Sequence, residues 1–301
     1  MLETPLPAKI DHPAGTVAES TTGHRWIERS LSRARDRLAG LLLRHGVRPN
    51  HLTVAGVAAT LAASLCLAFG AGHRPPWEFA GAGPPVSSWP LAAGTLILLA
   101  GMMDVLDGAT ARVGRAGTAF GGILDSALDR ISDMLVHGGC ALYFAHVGNM
   151  TFVLLALLGM INAVLTSYIK ARSESVFDDC EVGFWLRPER VVAFVFGCLT
   201  GHVPAMLVLL AVFPAFTVWR RLDHARRVCA AMESGQPIPG REPLGGGLWF
   251  PAPWRFPRGT IQYGIMALAN AAFIVVGPWL VPFLSGRNDP IGKLMSSLNW
   301  A

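Results

Sequence analysis

Residues 101–133 read GMMDVLDGATARVGRAGTAFGGILDSALDRISD and carry Asp104, Asp107, Asp125 and Asp129 between two long apolar flanks. Asp104 and Asp107 are three apart, so roughly 60° separates them around a helix and both carboxylates look the same way. Asp125 and Asp129 are four apart and also share a face, with Gly121 one turn earlier. The flanks are uncharged over 79–103 and 134–169. Such lengths suit helices that cross a bilayer, for which about 20 apolar residues are needed. The acidic window therefore lies where one span ends and the next begins. Folding back antiparallel, it brings four carboxylates together at a membrane boundary.

Further uncharged stretches at 49–73, 191–219 and 259–286 extend this reading to the whole chain. Of 301 residues, 52% are apolar and 15% charged, against about 25% charged in an ordinary globular protein. This balance excludes intrinsic disorder, a secreted disulfide scaffold and a basic nucleic-acid module. Five cysteines, Cys66, Cys140, Cys180, Cys198 and Cys229, form no CxxC pair and read as buried thiols. The first twenty residues hold Glu3, Lys9, Asp11 and Glu19 with several prolines and no apolar core, which is not the pattern of a cleavable signal peptide.

The run 134–169 is too long for one crossing and breaks at His146-Val147-Gly148-Asn149. Residues 191–219 are one tilted helix or two short ones hinged at Gly201-His202-Val203-Pro204, and charge decides between them. With two crossings, all of the 25 Lys and Arg except Arg74, Arg130, Arg287 and Lys293 fall in segments on the N-terminal side. Short cytoplasmic loops collect Lys and Arg. The expected helices are 51–72, 90–113, 119–146, 150–174, 187–202, 204–227 and 260–284, with the N-terminus and the acidic window cytoplasmic. The setting is a multi-pass membrane protein, placed in a bacterial inner membrane.

Before the first span, Arg25, Arg29, Arg33 and Arg37 recur every four residues, and Trp26, Ile27, Leu31, Leu38, Leu41 and Leu42 add apolar area. Thr21 or Thr22 supplies an N-cap. This is the pattern of an amphipathic helix lying on anionic lipid. Residues 74–90 and 236–258 read as loops, the second with Trp249, Trp254 and Phe256 for the interface. The expected units are an N-terminal extension with its interfacial helix (1–48), a catalytic transmembrane domain (49–228), a Gly/Pro/Trp-rich loop (229–259), and an extra transmembrane helix with a tail (260–301).

Four carboxylates at such a depth repel one another and lose hydration, and uncompensated they cost several kcal/mol. Arg112 and Arg130 cannot neutralise four acids alone. An all-oxygen site suits Mg2+ or Mn2+ rather than zinc, and two ions sharing the four Asp is the simplest arrangement. Such a pair binds a diphosphate and stabilises a leaving phosphate. A structural charge network or an ion path is the alternative use of the acids. His137 and His224 have no metal-ligand spacing with another His or a Cys. Ser126 and Ser132 have no paired base, so direct displacement is expected rather than a covalent enzyme intermediate.

The run Asp104-x2-Asp107-Gly108-x2-Ala111-Arg112-x8-Gly121-x3-Asp125-x3-Asp129 resembles the signature of the CDP-alcohol phosphotransferase (CDP-alcohol phosphatidyltransferase) family at every fixed position, over roughly residues 40–228. The resemblance implies an all-α integral membrane protein with a six-helix core, to which the N-terminal interfacial helix and the C-terminal span are additions. It also implies a homodimer, and a reaction in which an acceptor hydroxyl attacks the β-phosphorus of a CDP-alcohol such as CDP-diacylglycerol and CMP leaves. By the same resemblance Asp104, Asp107, Asp125 and Asp129 ligate metal, and Asp129 takes the acceptor's proton with Asp125 beside it. Gly108, Arg112 and Thr118, with Asp107, hold the cytidine diphosphate. Pro49-Asn50-x2-Thr53 resembles the family's nucleotide-contacting start of the first span, which adds Asn50 and Thr53.

Ser167-Tyr168-Ile169-Lys170-Ala171-Arg172 and Arg187-Pro188-Glu189-Arg190 are similar to the corresponding parts of the phosphatidylinositol phosphate synthase branch, whose acceptor is inositol phosphate. Lys170 and Arg190, then Arg172, are the implied acceptor-binding residues, since such cations suit phosphate. Positive-inside anchoring is the competing use of these residues, and the expected one for Arg220, Arg221, Arg226 and Arg227, with the reach of one of these four to the acceptor as the alternative. Glycerol 3-phosphate, serine or another lipid alcohol are the alternative acceptors. A Mg-dependent membrane prenyltransferase is a more distant alternative, disfavoured because its two acidic motifs lie far apart in the chain. An ion carrier would place its acids nearer mid-membrane.

Overall fold

The computed structural model describes residues 22–77, 84–177, 180, 182–237 and 261–298, the side chains of 22–29, 261 and 262 excepted. Thr21, the side chains of Arg25, Trp26, Ile27 and Arg29, and Trp249, Trp254 and Phe256 lie outside the described residues. Nine helices occur among those described: α1 (Thr22–Arg44), α2 (Pro49–Gly70), α3 (Trp89–Val113), α4 (Ala119–His146), α5 (Met150–Glu174), α6 (Arg187–Thr200), α7 (Val203–Ser234), α8 (Ile261–Leu280) and α9 (Pro290–Ser297). The chain is all-helical, and five helices, α2, α3, α5, α7 and α8, are long and apolar enough to cross a membrane. It is a multi-pass membrane protein. α4 carries Asp125, Asp129, Arg130 and Asp133, and α6, at 14 residues, spans only about 21 Å.

Local chemistry sets the boundaries. α2 begins at Pro49, whose missing N–H costs nothing in a first turn. α4 is capped by Thr118, which accepts from the Gly121 N–H, and α5 by Asn149, which accepts from the Phe152 N–H. The break between α4 and α5 turns on Gly148 at φ +74°, a left-handed value that favours glycine. The hinge in 191–219 is a real break: α6 stops at Thr200, Gly201 takes φ +73°, and α7 starts at Val203.

Two features depart from expectation. α7 continues to Ser234, past the expected end at 227, and Asp223 pairs with Arg226 and Arg227 at helical spacing. α8 ends at Leu280, four residues short of the expected limit, and a 3-10 turn at Pro282–Ser285 leads to α9, which the apolar pattern did not reveal. Its local signature is Asp289-Pro290, an N-cap followed by proline at the first helical position.

α2 packs between α3 and α4; α4 continues onto α5, α5 onto α7, and α3 onto α6, while α8 leans on α6 and α7. The shared core includes Leu67, Ile97, Phe144, Phe152, Phe194, Met206 and Leu210. Leu61, Leu65, Leu158, Ile161, Leu268 and Trp279 face outward, as a lipid-bathed bundle requires. Close helix approach relies on small residues: a Cβ on Gly139 of α4 would overlap the Ser64 backbone carbonyl of α2. α1 lies against α3 and keeps Leu31, Leu38 and Leu41 exposed beside Arg33, Arg37 and Arg44. Cys140, Cys180 and Cys198 are buried thiols, whereas Cys66 and Cys229 are only half-buried because they lie nearer the bundle surface.

Candidate active site

The last turns of α3 and the first turns of α4 converge as the spacing predicts. One carboxylate oxygen from each of Asp104, Asp107 and Asp125 lies within 4.8 Å of the others. α2 joins them through Thr53, whose hydroxyl donates to Asp107 Oδ2 at 2.7 Å. Asp107 is buried, and the buried Oδ1 of Asp125 has no hydrogen-bond partner in the protein. Three convergent anionic oxygens with no sulfur or imidazole among them, on carboxylates that include an unpartnered oxygen of Asp125, fit a hard divalent cation.

Asp129 stands apart from this trio. Arg187, at the start of α6, bridges the two sets: Nη1 lies 2.9 Å from Asp104 Oδ2 and Nη2 lies 2.9 Å from Asp129 Oδ1. A planar guanidinium suits this role, since its fork presents two parallel donors that an ammonium lacks. The sequence reading left Arg187 without a role and missed Asp133. That acid, one turn beyond Asp129, forms a buried ion pair with Arg190 at 2.6 Å. The one-turn spacings, three residues from Arg187 to Arg190 and four from Asp129 to Asp133, were the signal that could have found both.

The remaining cations are distributed unevenly. A cavity of about 410 Å³ beside Asp129 and Arg187 is lined by Arg130, Lys170, Arg190 and Arg221 together with Ser126 and Glu174. Lys170 lies 3.6 Å from Glu174. Arg190, only 2% exposed, also donates to Thr166 Oγ1 and the Trp185 carbonyl. Arg221 is buried rather than standing at the surface as an anchor, and donates to the Val182 and Thr166 carbonyls. Arg130 turns to the Ser126 carbonyl at 2.6 Å, which explains why it does not neutralise the acids. Arg172 is exposed and donates to Ser175 Oγ at 3.2 Å, off the cavity wall.

At the mouth of the carboxylate cluster, Asn50 and Arg112 are exposed. A Cβ on Gly108 would lie 3.4 Å from Arg112 Nη1, and one on Gly121 would lie 3.0 Å from Thr118 Oγ1 and 3.5 Å from Asn50 Oδ1. Gly108, Arg112, Thr118 and Asn50 therefore form two small groups flanking the acids, each with a glycine where the backbone is accessible.

The chain is similar to known proteins in sequence and in fold. The sequence model of the CDP-alcohol phosphatidyltransferase family matches residues 47–231. An archaetidylinositol phosphate synthase of Methanothermobacter thermautotrophicus is 36% identical over 140 residues, covering 44% of this chain and 69% of that one. A phosphatidylinositol phosphate synthase of Mycobacteroides abscessus is 32% identical over 204 residues, covering 65% and 85%. Crystal structures of the Mycobacterium tuberculosis phosphatidylinositol phosphate synthase superpose with a TM-score of 0.53 for the form with CDP-DAG bound and 0.54 for the complex with manganese and citrate. Both are 29% identical, and they cover 64% of this chain and 94% and 88% of the respective solved chains.

Proposed function

This chain belongs to the CDP-alcohol phosphatidyltransferase family, and from that premise we propose that it moves a phosphatidyl group from CDP-diacylglycerol to inositol phosphate, with release of CMP. It is a phospholipid-synthesising enzyme. The observation that carries the reading is the adjacency of two unlike sites. A carboxylate cluster suited to a cation-bound diphosphate adjoins a cation-lined cavity suited to a phosphorylated alcohol, and Asp129 with Arg187 lies at their join.

In this reading Asp104, Asp107, Asp125 and Asp129 hold two divalent ions, Mg2+ or Mn2+. When bound, these supply Lewis-acid polarisation of the diphosphate and charge neutralisation of the leaving group. The chain's own residues do the rest. Asn50, Thr53, Gly108, Arg112 and Thr118 bind and orient the cytidine diphosphate. Lys170 and Arg190 attract the acceptor's phosphate, with Arg172 adding positive charge from outside the cavity wall, and Arg187 holds the Asp129 carboxylate through Nη2 while its Nη1 holds Asp104. The acceptor oxygen forms its new bond to the β-phosphorus as the bridge to the α-phosphate breaks, and its proton passes to Asp129. Residues 49–228 form the catalytic unit. A homodimer in a bacterial inner membrane, with the site cytoplasmic, completes the proposal.

CMP release tests it. Purified protein with CDP-diacylglycerol and Mg2+ is given inositol phosphate, glycerol 3-phosphate or serine in competition. The expected lipid product carries inositol phosphate, and a glycerol phosphate product without any from inositol phosphate overturns the choice of acceptor.

A further inference from the structure

A second cavity, about 400 Å³, opens between α6 and α8, within the roughly 300–1,000 Å³ range of ligand-sized pockets. On α6 its wall is Val192, Ala193 and Phe196; on α8 it is Ala267, Ala271 and Ile274. This is the face of α6 turned away from α3, since Val191 meets Gly101 of α3 and Phe194 stacks on His137 of α4. α8 lies beyond residue 231, where the family match stops, so one wall of the cavity is this chain's own addition. The small side chains Ala193, Ala267 and Ala271 face each other and leave the space open.

The two ends of the cavity differ. Its lining is mostly apolar, with Asn270 the polar residue between Ala267 and Ala271, and one end carries Glu189, which accepts from the Tyr263 hydroxyl at 2.8 Å. Pro188, next to Glu189, belongs to the wall of this cavity and also to the cation-lined cavity that holds Arg187 and Lys170. A polar chamber beside Asp129 and an apolar one between two helices thus lie next to each other, with Pro188 as a shared wall. The occupant matching both is an amphiphile with its phosphate near the acids and a hydrocarbon tail along α6.

We infer that the α6–α8 cavity receives one acyl chain of the CDP-diacylglycerol substrate, and that α8 acts as a chain-binding wall. This rests on the transferase reading above, because that reading places the diphosphate of a diacyl lipid on the carboxylate cluster next to the cavity that shares Pro188. Val192 is 65% exposed, so the space is entered sideways from the surrounding lipid with no opening motion.

The test uses the full chain in lipid nanodiscs and a CDP-diacylglycerol bearing a photoactivatable diazirine near the end of one chain. Adducts are expected on the peptides holding Val192–Phe196 and Ala267–Ile274. Unlabelled CDP-diacylglycerol removes them, and a tenfold excess of phosphatidylcholine leaves them. Ala271→Trp, or Ala267→Leu should the first not insert, is expected to cut labelling at least fivefold. It is also expected to lower kcat/KM at least tenfold more for a long-chain donor than for a four-carbon-chain donor. Adducts confined to other helices, equal competition by phosphatidylcholine, or equal losses for short and long donors each overturn the inference. Labelling of α6 and α8 without CMP release by the wild type sinks the transferase reading while sustaining this one; CMP release with the label elsewhere does the reverse.

Discussion

Asp129 and Asp133 lie one turn apart on one helix face, yet each meets a different arginine, and those partners give them different tasks. The Asp129 side chain is 26% exposed at the join of two cavities, so its replacement bears on chemistry more than on folding. Asp129→Asn is expected to lower turnover by roughly 10²–10⁴, the usual share of a general base, while nucleotide binding and the melting temperature stay near wild type. Unaltered turnover removes Asp129 from the mechanism. Asp133 and Arg190 are buried together, so breaking the pair strands a charge. Arg190→Met alone is expected to destabilise by about 3–5 kcal/mol, and the double change with Asp133→Leu to recover most of it. Unfolding of the four species of this cycle in detergent reads the coupling, and additive losses mean the pair is not coupled.

Among the elements, the joint between α5 and α9 shows how the C-terminal addition is fastened. Asp289 caps α9 through the Gly292 N–H and also accepts from the Met150 and Thr151 N–H groups and the Thr151 hydroxyl at the start of α5. Burial alone would raise its pKa, but the hydrogen bonds from Thr151, Gly292 and Met150 outweigh it and hold the carboxyl below its ordinary value. The sign follows from the lowered value: the joint's contribution is complete above the unfolded pKa, about 3.9, and disappears as pH falls through the folded pKa. The protection factors of the Met150, Thr151 and Gly292 amides, exchange taken relative to the intrinsic rate at each pH, should therefore fall as pH drops below about 4. Asp289→Asn should flatten that profile, and a wild-type profile already flat counts against the joint.

For the whole molecule, the carboxylate trio joins α3 to α4 and Thr53 ties α2 to Asp107, so a cation bound there would link two helices directly and the third through Thr53. Mg2+ or Mn2+ at a hundred times its dissociation constant should stabilise the fold by about 2.7 kcal/mol. Chelation should reverse the gain, and Asp107→Asn should abolish it. Thermal melting in metal-free and metal-replete detergent measures this without any turnover. A melting point indifferent to metal in the wild type contradicts the site.

The amino-acid sequence by itself determined the all-helical membrane architecture, the break at Gly201 and the meeting of Asp104, Asp107 and Asp125. These follow from local rules: apolar length against bilayer thickness, glycine's left-handed freedom, and the angular repeat of a helix. Tertiary structure alone decided that Arg187, not Arg190, spans Asp104 and Asp129, and that Arg221 turns inward. It also decided that Asp289 ties α9 to α5 and that α8 leaves a cavity against α6. The reason is one of range. A helix fixes which residues share its face within a few turns, but which cation meets which acid depends on how four helices, distant in the chain, are rotated about their axes. That rotation is set by the summed packing of residues such as Gly139, Phe194 and Met206, none of which carries a recognisable signal alone.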